Sequence, residues 1–262
     1  MNELIVYSAT FYHSFLIFLF VLLRVSAVIV FAPVFSSSSI PAQLKALFCV
    51  VLSFALYPVA KPFIHIENIS ALYLGLTVVK EVVFAALLSL CIHFIFSGIE
   101  IGAQLVGFNM GFSIANVVSP EENIQISVLS EFESIFAILV FLIINGHYEY
   151  IKAIAYSFKT IPVGGFFLNQ SLLEILNRMI DTMFAVAFTV LAPAIIALFI
   201  TQVVFGLIAR TMPQINIMIV AFPLSIAIGF VVLGATFTFA AESLINYYHQ
   251  AIQYLYAIIK VG

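Results

Sequence analysis

Tryptophan is absent from the 262 residues, and Asp, Glu, Lys and Arg together supply only 8% of them. Soluble domains typically carry about 25% charged residues. So little charge excludes a freestanding soluble domain. Nine Lys and Arg stand against twelve Asp and Glu, a formal net charge of -3. No basic run exists to meet phosphates, so nucleic acid is not an expected partner. Cysteine occurs twice, at Cys49 and Cys91, each time inside an apolar run. Both read as small buried hydrophobes, and a disulfide framework has no support. The opening "MNELIVYSATFYHSF" lacks a basic region ahead of its apolar core, so a cleavable signal is not expected.

Catalytic signatures are missing as well. His13, His65, His93, His147 and His249 are scattered, with no His-x-x-x-His pair and no His-Glu-x-x-His. There is no Gly-x-Ser-x-Gly elbow and no phosphate-binding glycine loop. No enzyme and no cofactor are expected. Glu121, Glu122, Glu131 and Glu133 crowd four carboxylates into a short stretch. Hard cations take oxygen ligands, but no Asp-rich loop accompanies these, and no metal site is expected.

What is present is apolar: 64% of the chain is hydrophobic and 28 residues are Phe. This is the composition of an all-α integral membrane protein. A span needs about 20 apolar residues. Six stretches are candidates: 11–33, 44–60, 69–97, 127–144, 182–209 and 214–240, of which the second and fourth are short for a comfortable span. Two weaker helices are predicted at 98–110 and 242–260. The second is amphipathic, with Leu244, Ala251 and Leu255 in one row and Tyr247, Tyr254 and Ile258 in another. It reads as interfacial or facing a partner. No repeat or linker divides the chain, which reads as a single domain over 1–262. The nine basic residues give too little asymmetry to orient it.

Polar residues inside apolar runs carry the most information. Arg24 lies deep in the first run, where an unpaired charge costs several kcal/mol. Two readings are open: an ion pair with Glu81 or another carboxylate, or a contact within an assembly or water path. Lys80 and Glu81 are sequence neighbours and cannot face one another on a helix, so each needs a partner elsewhere. Gly98 with Gly102, and Gly107 with Gly111, form small-xxx-small steps that let helices approach closely. After Gly111 the helical pattern fails, and Ser119-Pro120 stops any helix. Irregular backbone at membrane depth survives only where protein buries it or water wets it. The stretch is an ordinary loop, or it lines or blocks a wet path.

Four segments carry a resemblance. They are "RVSAVIVFAPVFSSSSIPAQLK" (24–45), "KEVVFAALLSLCIHFIFSGIEIGAQLVGFNMGFSIANVVSP" (80–120), "NGHYEYIKAIAYSFKTIPVGG" (145–165) and "ARTMPQINIMIVAFPLSIAIGF" (209–230). In this order they resemble the FliR family of the flagellar type III protein-export apparatus, related to the SctT proteins of virulence systems. The third segment is similar to the flagellar branch. The sequence departs from the family at Ser36 and Ala221, where glycine is common, and at Ser225, where lysine is common. It also lacks, across Phe84 to Ala86, a glycine the family often has.

The resemblance implies bent helical hairpins built into a helical, multi-subunit export gate. FliP-like and FliQ-like subunits and an FlhB-like protein on the cytoplasmic side are the implied partners. Exported flagellar proteins are the implied cargo. The implied place is the bacterial inner membrane, within the flagellar basal body. Much of such an assembly stands above the bilayer, which would make six conventional spans the wrong geometry. Gly111, Phe112, Ser113, Ile114, Ala115, Asn116 and Val117 correspond to a pore plug. Arg24, Pro33, Pro41 and Glu81 fall in signatures expected at subunit contacts. So do Arg210, Pro213, Gln214 and Asn216. The competing function is a self-contained secondary transporter or channel, with Pro193 and Pro223 marking broken helices.

Overall fold

The structure is a computed structural model. It describes residues 2–33, 40–64, 70–112, 128–212, 214 and 216–262. Among these residues there is no strand. In apolar surroundings a helix is the one open element that pairs every backbone N–H and C=O within itself. The helices are α1 (Asn2–Phe31), α2 (Ala42–Ala60, prolonged by a 3-10 turn at Lys61–Phe63), α3 (Ala71–Met110), α4 (Val128–Ile143) and α5 (Gly146–Thr160). They continue as α6 (Gln170–Val190), α7 (Ala192–Thr211), α8 (Ile217–Ala235) and α9 (Phe237–Val261). The segments Phe11–Phe31, Ala42–Phe63, Ala71–Met110 and Ala192–Thr211 are long and apolar enough to cross a membrane. Counting two bent pairs as one span each raises the number to as many as six.

Several boundaries differ from the sequence reading. The third run and the weaker helix after it are one helix of 40 residues. At about 1.5 Å per residue its contour is about 60 Å, twice a hydrocarbon core. The fifth run is two helices, broken at Leu191. Pro193 lies at the start of α7, where its missing N–H costs nothing. The sixth run breaks at Thr236, whose hydroxyl donates to the Val232 carbonyl at 2.8 Å, and α9 then continues to Val261. Asn145 starts α5 with φ 57, a left-handed conformation that asparagine tolerates better than most residues.

The chain folds into two compact units, each discontinuous in sequence. One comprises residues 1–93, 145–179 and 251–262, and the other 94–144 and 180–250.

The first unit is organised around Arg24, which has no exposed surface. Its Nε and Nη2 donate to the two carboxylate oxygens of Glu81 at 2.5 and 2.8 Å. Nη1 donates to the Ile161 carbonyl at 3.1 Å and to Ser157 Oγ at 3.3 Å. The guanidinium carbon lies 5.1 Å from the Phe84 ring centre and 4.5 Å from that of Phe158. Glu81 also accepts from the Gly164 N–H at 2.9 Å, while Lys80 Nζ donates to the Gly164 carbonyl at 3.1 Å. The two adjacent charges thus grip the N–H and the C=O of one loop residue. Gly164 has φ 74, and a Cβ there would meet Thr77 Oγ1 at 3.0 Å. A second polar relay ties α5 to α3 and α1. Tyr150 donates to Ser89 Oγ at 3.0 Å, and Ser89 reaches the Val28 carbonyl at 2.9 Å.

In the second unit, α3 lies directly on the backbone of α6. A Cβ on Gly98 would be 2.5 Å from the Met183 carbonyl oxygen, and one on Gly102 2.5 Å from that of Ala187. The first glycine step is therefore a helix contact with a named partner. Phe96, Phe141 and Tyr248 interlock, with ring centres 5.2 to 6.2 Å apart, and Tyr248 donates to the Ala137 carbonyl at 3.0 Å.

Helix α9 is covered in part by its own chain. Leu244 and Tyr248 are buried in the second unit, and Ala251, Leu255, Ile258 and Ile259 in the first. The row of Leu244, Ala251 and Leu255 is thus covered by the chain itself, while Tyr247 and Tyr254 of the other row stay half-buried.

This packing makes the buried pair and the glycine step open to test. Arg24→Met or Glu81→Gln alone should destabilise by about 3–5 kcal/mol, because each leaves a buried charge uncompensated. Arg24→Met combined with Glu81→Leu should cost less than the sum of the single changes, read as thermal unfolding in mild detergent. Strict additivity would mean the two are not coupled. Gly98→Ala or Gly102→Ala should cost about 1–3 kcal/mol through overpacking against an immovable carbonyl. Gly206→Ala, whose Cβ meets nothing within 4 Å, should instead hold or raise stability, since alanine favours the helix.

Candidate functional site

The end of α3 is where the regular helix gives way to the segment of interest, and its geometry follows from one glycine. Gly111 has φ 93, a conformation that glycine adopts without a Cβ penalty. Its N–H donates to the Phe108 carbonyl at 3.0 Å, and the Phe112 N–H donates to the Gly107 carbonyl at 3.1 Å. These two bonds are a Schellman motif, which satisfies carbonyls that a helix end leaves orphaned. The next carbonyl, that of Asn109, is met by Gln202 Nε2 of α7 at 3.3 Å, and the same amide donates to Asn109 Oδ1 at 2.9 Å. Gly111 is therefore a stop with a defined shape, where the sequence marks only that the helical pattern fails after it.

Helix α8 closes around this end. Met110 is fully buried. A Cβ on Gly229 would come within 2.7 Å of its Sδ and Cε and 2.8 Å of its Cγ. A Cβ on Gly111 would meet the Phe222 ring at 2.5 Å. Phe112 packs edge-on against Phe230, ring centres 6.4 Å apart. Ser225, which stands where the family commonly has lysine, is buried on the same helix between Phe222 and Gly229. Among the described residues of this arrangement no nucleophile is paired with a base. What it can do is fix where the chain leaves α3.

Of the expected plug residues, Gly111 and Phe112 are described. Ser113, Ile114, Ala115, Asn116 and Val117 lie outside the described residues, as do Glu121 and Glu122. Glu131 is exposed and Glu133 buried on α4. No group of three His, Cys, Asp or Glu side chains suited to a metal ion occurs among the described residues. Of the expected subunit contacts, Arg24 and Glu81 pair with one another and present no surface to a neighbour. Of the two readings open for Arg24, the ion pair with Glu81 is the geometry found. Pro33 is half-buried just beyond α1, and Pro41 is exposed at the start of α2. Arg210 is exposed in the last turn of α7, Gln214 and Asn216 are exposed before α8, and Pro213 lies outside the described residues. Sequence reasoning misses Gln202; Phe222, Gly229 and Phe230 lie in the segment 209–230 that carries the resemblance, but it gives them no role. A glycine inside an apolar helix carries no mark of which side chain needs its space.

Comparison with known proteins extends these observations. The sequence model described as bacterial export proteins, family 1, matches residues 15–251. The flagellar biosynthetic protein FliR of Bacillus subtilis (strain 168) is 32% identical over 222 residues, covering 82% of this chain and 84% of that protein. FliR of Escherichia coli (strain K12) is 29% identical over 215 residues, 82% of this chain and 81% of the relative. FliR of Aquifex aeolicus (strain VF5) is 24% identical over 221 residues, 83% and 84%. The match spans the helices of both units, and the chain belongs to the bacterial export proteins of family 1, the FliR family of flagellar export.

Proposed function

We propose that the chain is a non-enzymatic subunit of the flagellar type III export gate. In this reading it forms part of the channel that conducts unfolded flagellar proteins through the bacterial inner membrane during flagellum assembly. The observation that carries the proposal is the match to the export family over residues 15–251, with FliR relatives covered along most of their length. The uneven coverage of its apolar helices supports it. Only 11% of the apolar stretch of α7 is buried and 22% of that of α2, against 61% for α3. A chain that leaves such faces bare needs either lipid or other subunits against them.

Within this reading residues 1–262 act as one export-gate domain, beside FliP-like and FliQ-like subunits and with an FlhB-like protein on the cytoplasmic side. Pro33 and Pro41 would mark contacts on one unit, and Arg210, Pro213, Gln214 and Asn216 on the other. Charged and polar groups are costly in lipid and cheap at a protein contact. Arg24 and Glu81 would contribute indirectly, by holding the shape of the first unit. The stretch Gly111 to Val117 is the plug. Its apolar side chains Phe112, Ile114 and Val117 close a narrow pore by contact and dewetting. Each such side chain is worth about 1.5–3 kcal/mol when buried, so the seal is reversible.

Two measurements test the proposal. Affinity purification in mild detergent should recover unlike export subunits by mass. A folded, monodisperse chain obtained alone, with no unlike partner in cells that make them, would favour the transporter. Deleting Gly111 to Val117 should leave assembly intact and make the membrane conduct ions and small solutes. An assembled deletion complex as tight as the parent would remove the plug assignment.

A further inference from the structure

We infer that Gly229 of α8 is a positioning residue for the plug: with Phe222 and Phe230 it forms the seat that fixes where the chain departs from α3. The inference rests on the reading of Gly111 to Val117 as a plug, and it names what holds the root of that plug.

Three contacts converge on a run of three residues. Gly229 takes Met110, Phe222 takes Gly111, and Phe230 takes Phe112. Phe222 and Gly229 are seven residues apart, two helical turns, so they share one face of α8. The missing Cβ at Gly229 is filled by Met110 along three atoms of its side chain, Cγ, Sδ and Cε. Rotating only the tip of Met110 would not clear that space. Met110 is the last residue of α3 and is fully buried, so displacing it displaces the Schellman turn that follows.

Glycine in the α7–α8 region is not uniformly a packing residue. Gly206 and Gly234 have nothing within 4 Å of where a Cβ would stand. Gly229 is set apart by Met110. On the other side Gln202 holds Asn109 by its carbonyl and side chain, so the last turn of α3 is gripped by both α7 and α8. A seal made of a few apolar tips depends on where its first residue stands.

The test uses cells carrying the complete export apparatus. Assembly is read by co-purification, and tightness by ion conductance and uptake of a small solute. Gly229→Ala should assemble and leak roughly tenfold more than the parent, the scale on which overpacking shifts a closed population. Adding Met110→Ala should return the leak towards the parent value by giving the new Cβ its space. A purely structural requirement for a large core side chain would make that double change worse. Gly234→Ala should leave the leak unchanged.

An assembled Gly229→Ala complex that is as tight as the parent overturns the inference. So does a leak that Met110→Ala does not reduce. If Gly229→Ala does not assemble, Phe222→Ala decides, since it removes a ring and introduces no clash. It should leak, and an assembled, tight Phe222→Ala complex sinks the seat. The deletion of Gly111 to Val117 separates the two layers. A leaky deletion beside a tight Gly229→Ala removes the seat alone, and a tight deletion removes the plug itself.

Discussion

A guanidinium with no exposed surface, in a chain with this little charge, dictates much of what surrounds it. Arg24 cannot be left without acceptors in an apolar interior, and Glu81, Ser157 and the Ile161 carbonyl supply them. Each acceptor then constrains something further. Glu81 is held so that it also takes the Gly164 N–H, and its neighbour Lys80 takes the carbonyl of the same residue. Phe166, just beyond the loop, packs on Phe84 at 5.2 Å. The end of the chain closes on it, for a Cβ at Gly262 would meet the Phe166 ring at 2.9 Å. One buried cation thus sets the relation of α1, α3, α5 and the loop after it within the first unit. A surface ion pair of the kind formed by Lys152 and Glu149 has no such reach, because water replaces either partner at little cost.

Much of this is legible in the sequence at the level of kind. Helices, their apolar character and the need of Arg24, Lys80 and Glu81 for partners all follow from the cost of unpaired polar groups in apolar surroundings. That Lys80 and Glu81 find the two ends of one peptide residue does not follow. The loop that supplies Gly164 is more than 80 positions away and carries no charge to announce itself. Faces are illegible for a related reason. Apolar residues stand on every side of most of helix α3, so no periodicity separates the side packed on α6 from the others. The glycine step at 98 and 102 signals a close approach and cannot name Met183 and Ala187. The rows of α9 are visible as rows, but their destination is not, because an apolar stripe fits its own chain as well as a neighbour. At the candidate site Gly111 is visible as the end of a helix. Gly229 is visible as part of the family-like segment, but its contact with Met110 is not.

The two units share a pattern that bears on function. Each leaves one long apolar helix largely bare: α2 in the first, α7 in the second. Lipid gives little reason for one apolar helix to be wrapped by its own chain while another is left open, since hydrocarbon is as apolar as leucine. In a gate built from unlike subunits the bare helices are where those subunits lie. Under the proposed function the end of α3, held by α7 and α8, is the root of the plug.

The most direct measurement is photo-cross-linking from α7 inside the assembled apparatus. A photoreactive residue at Phe199 or at Leu207, exposed by 64% and 60% in the chain alone, captures whatever lies against that face. The account predicts defined adducts with unlike protein subunits, identified by mass. Adducts with lipid alone, in cells where the apparatus is assembled and exporting, would contradict it.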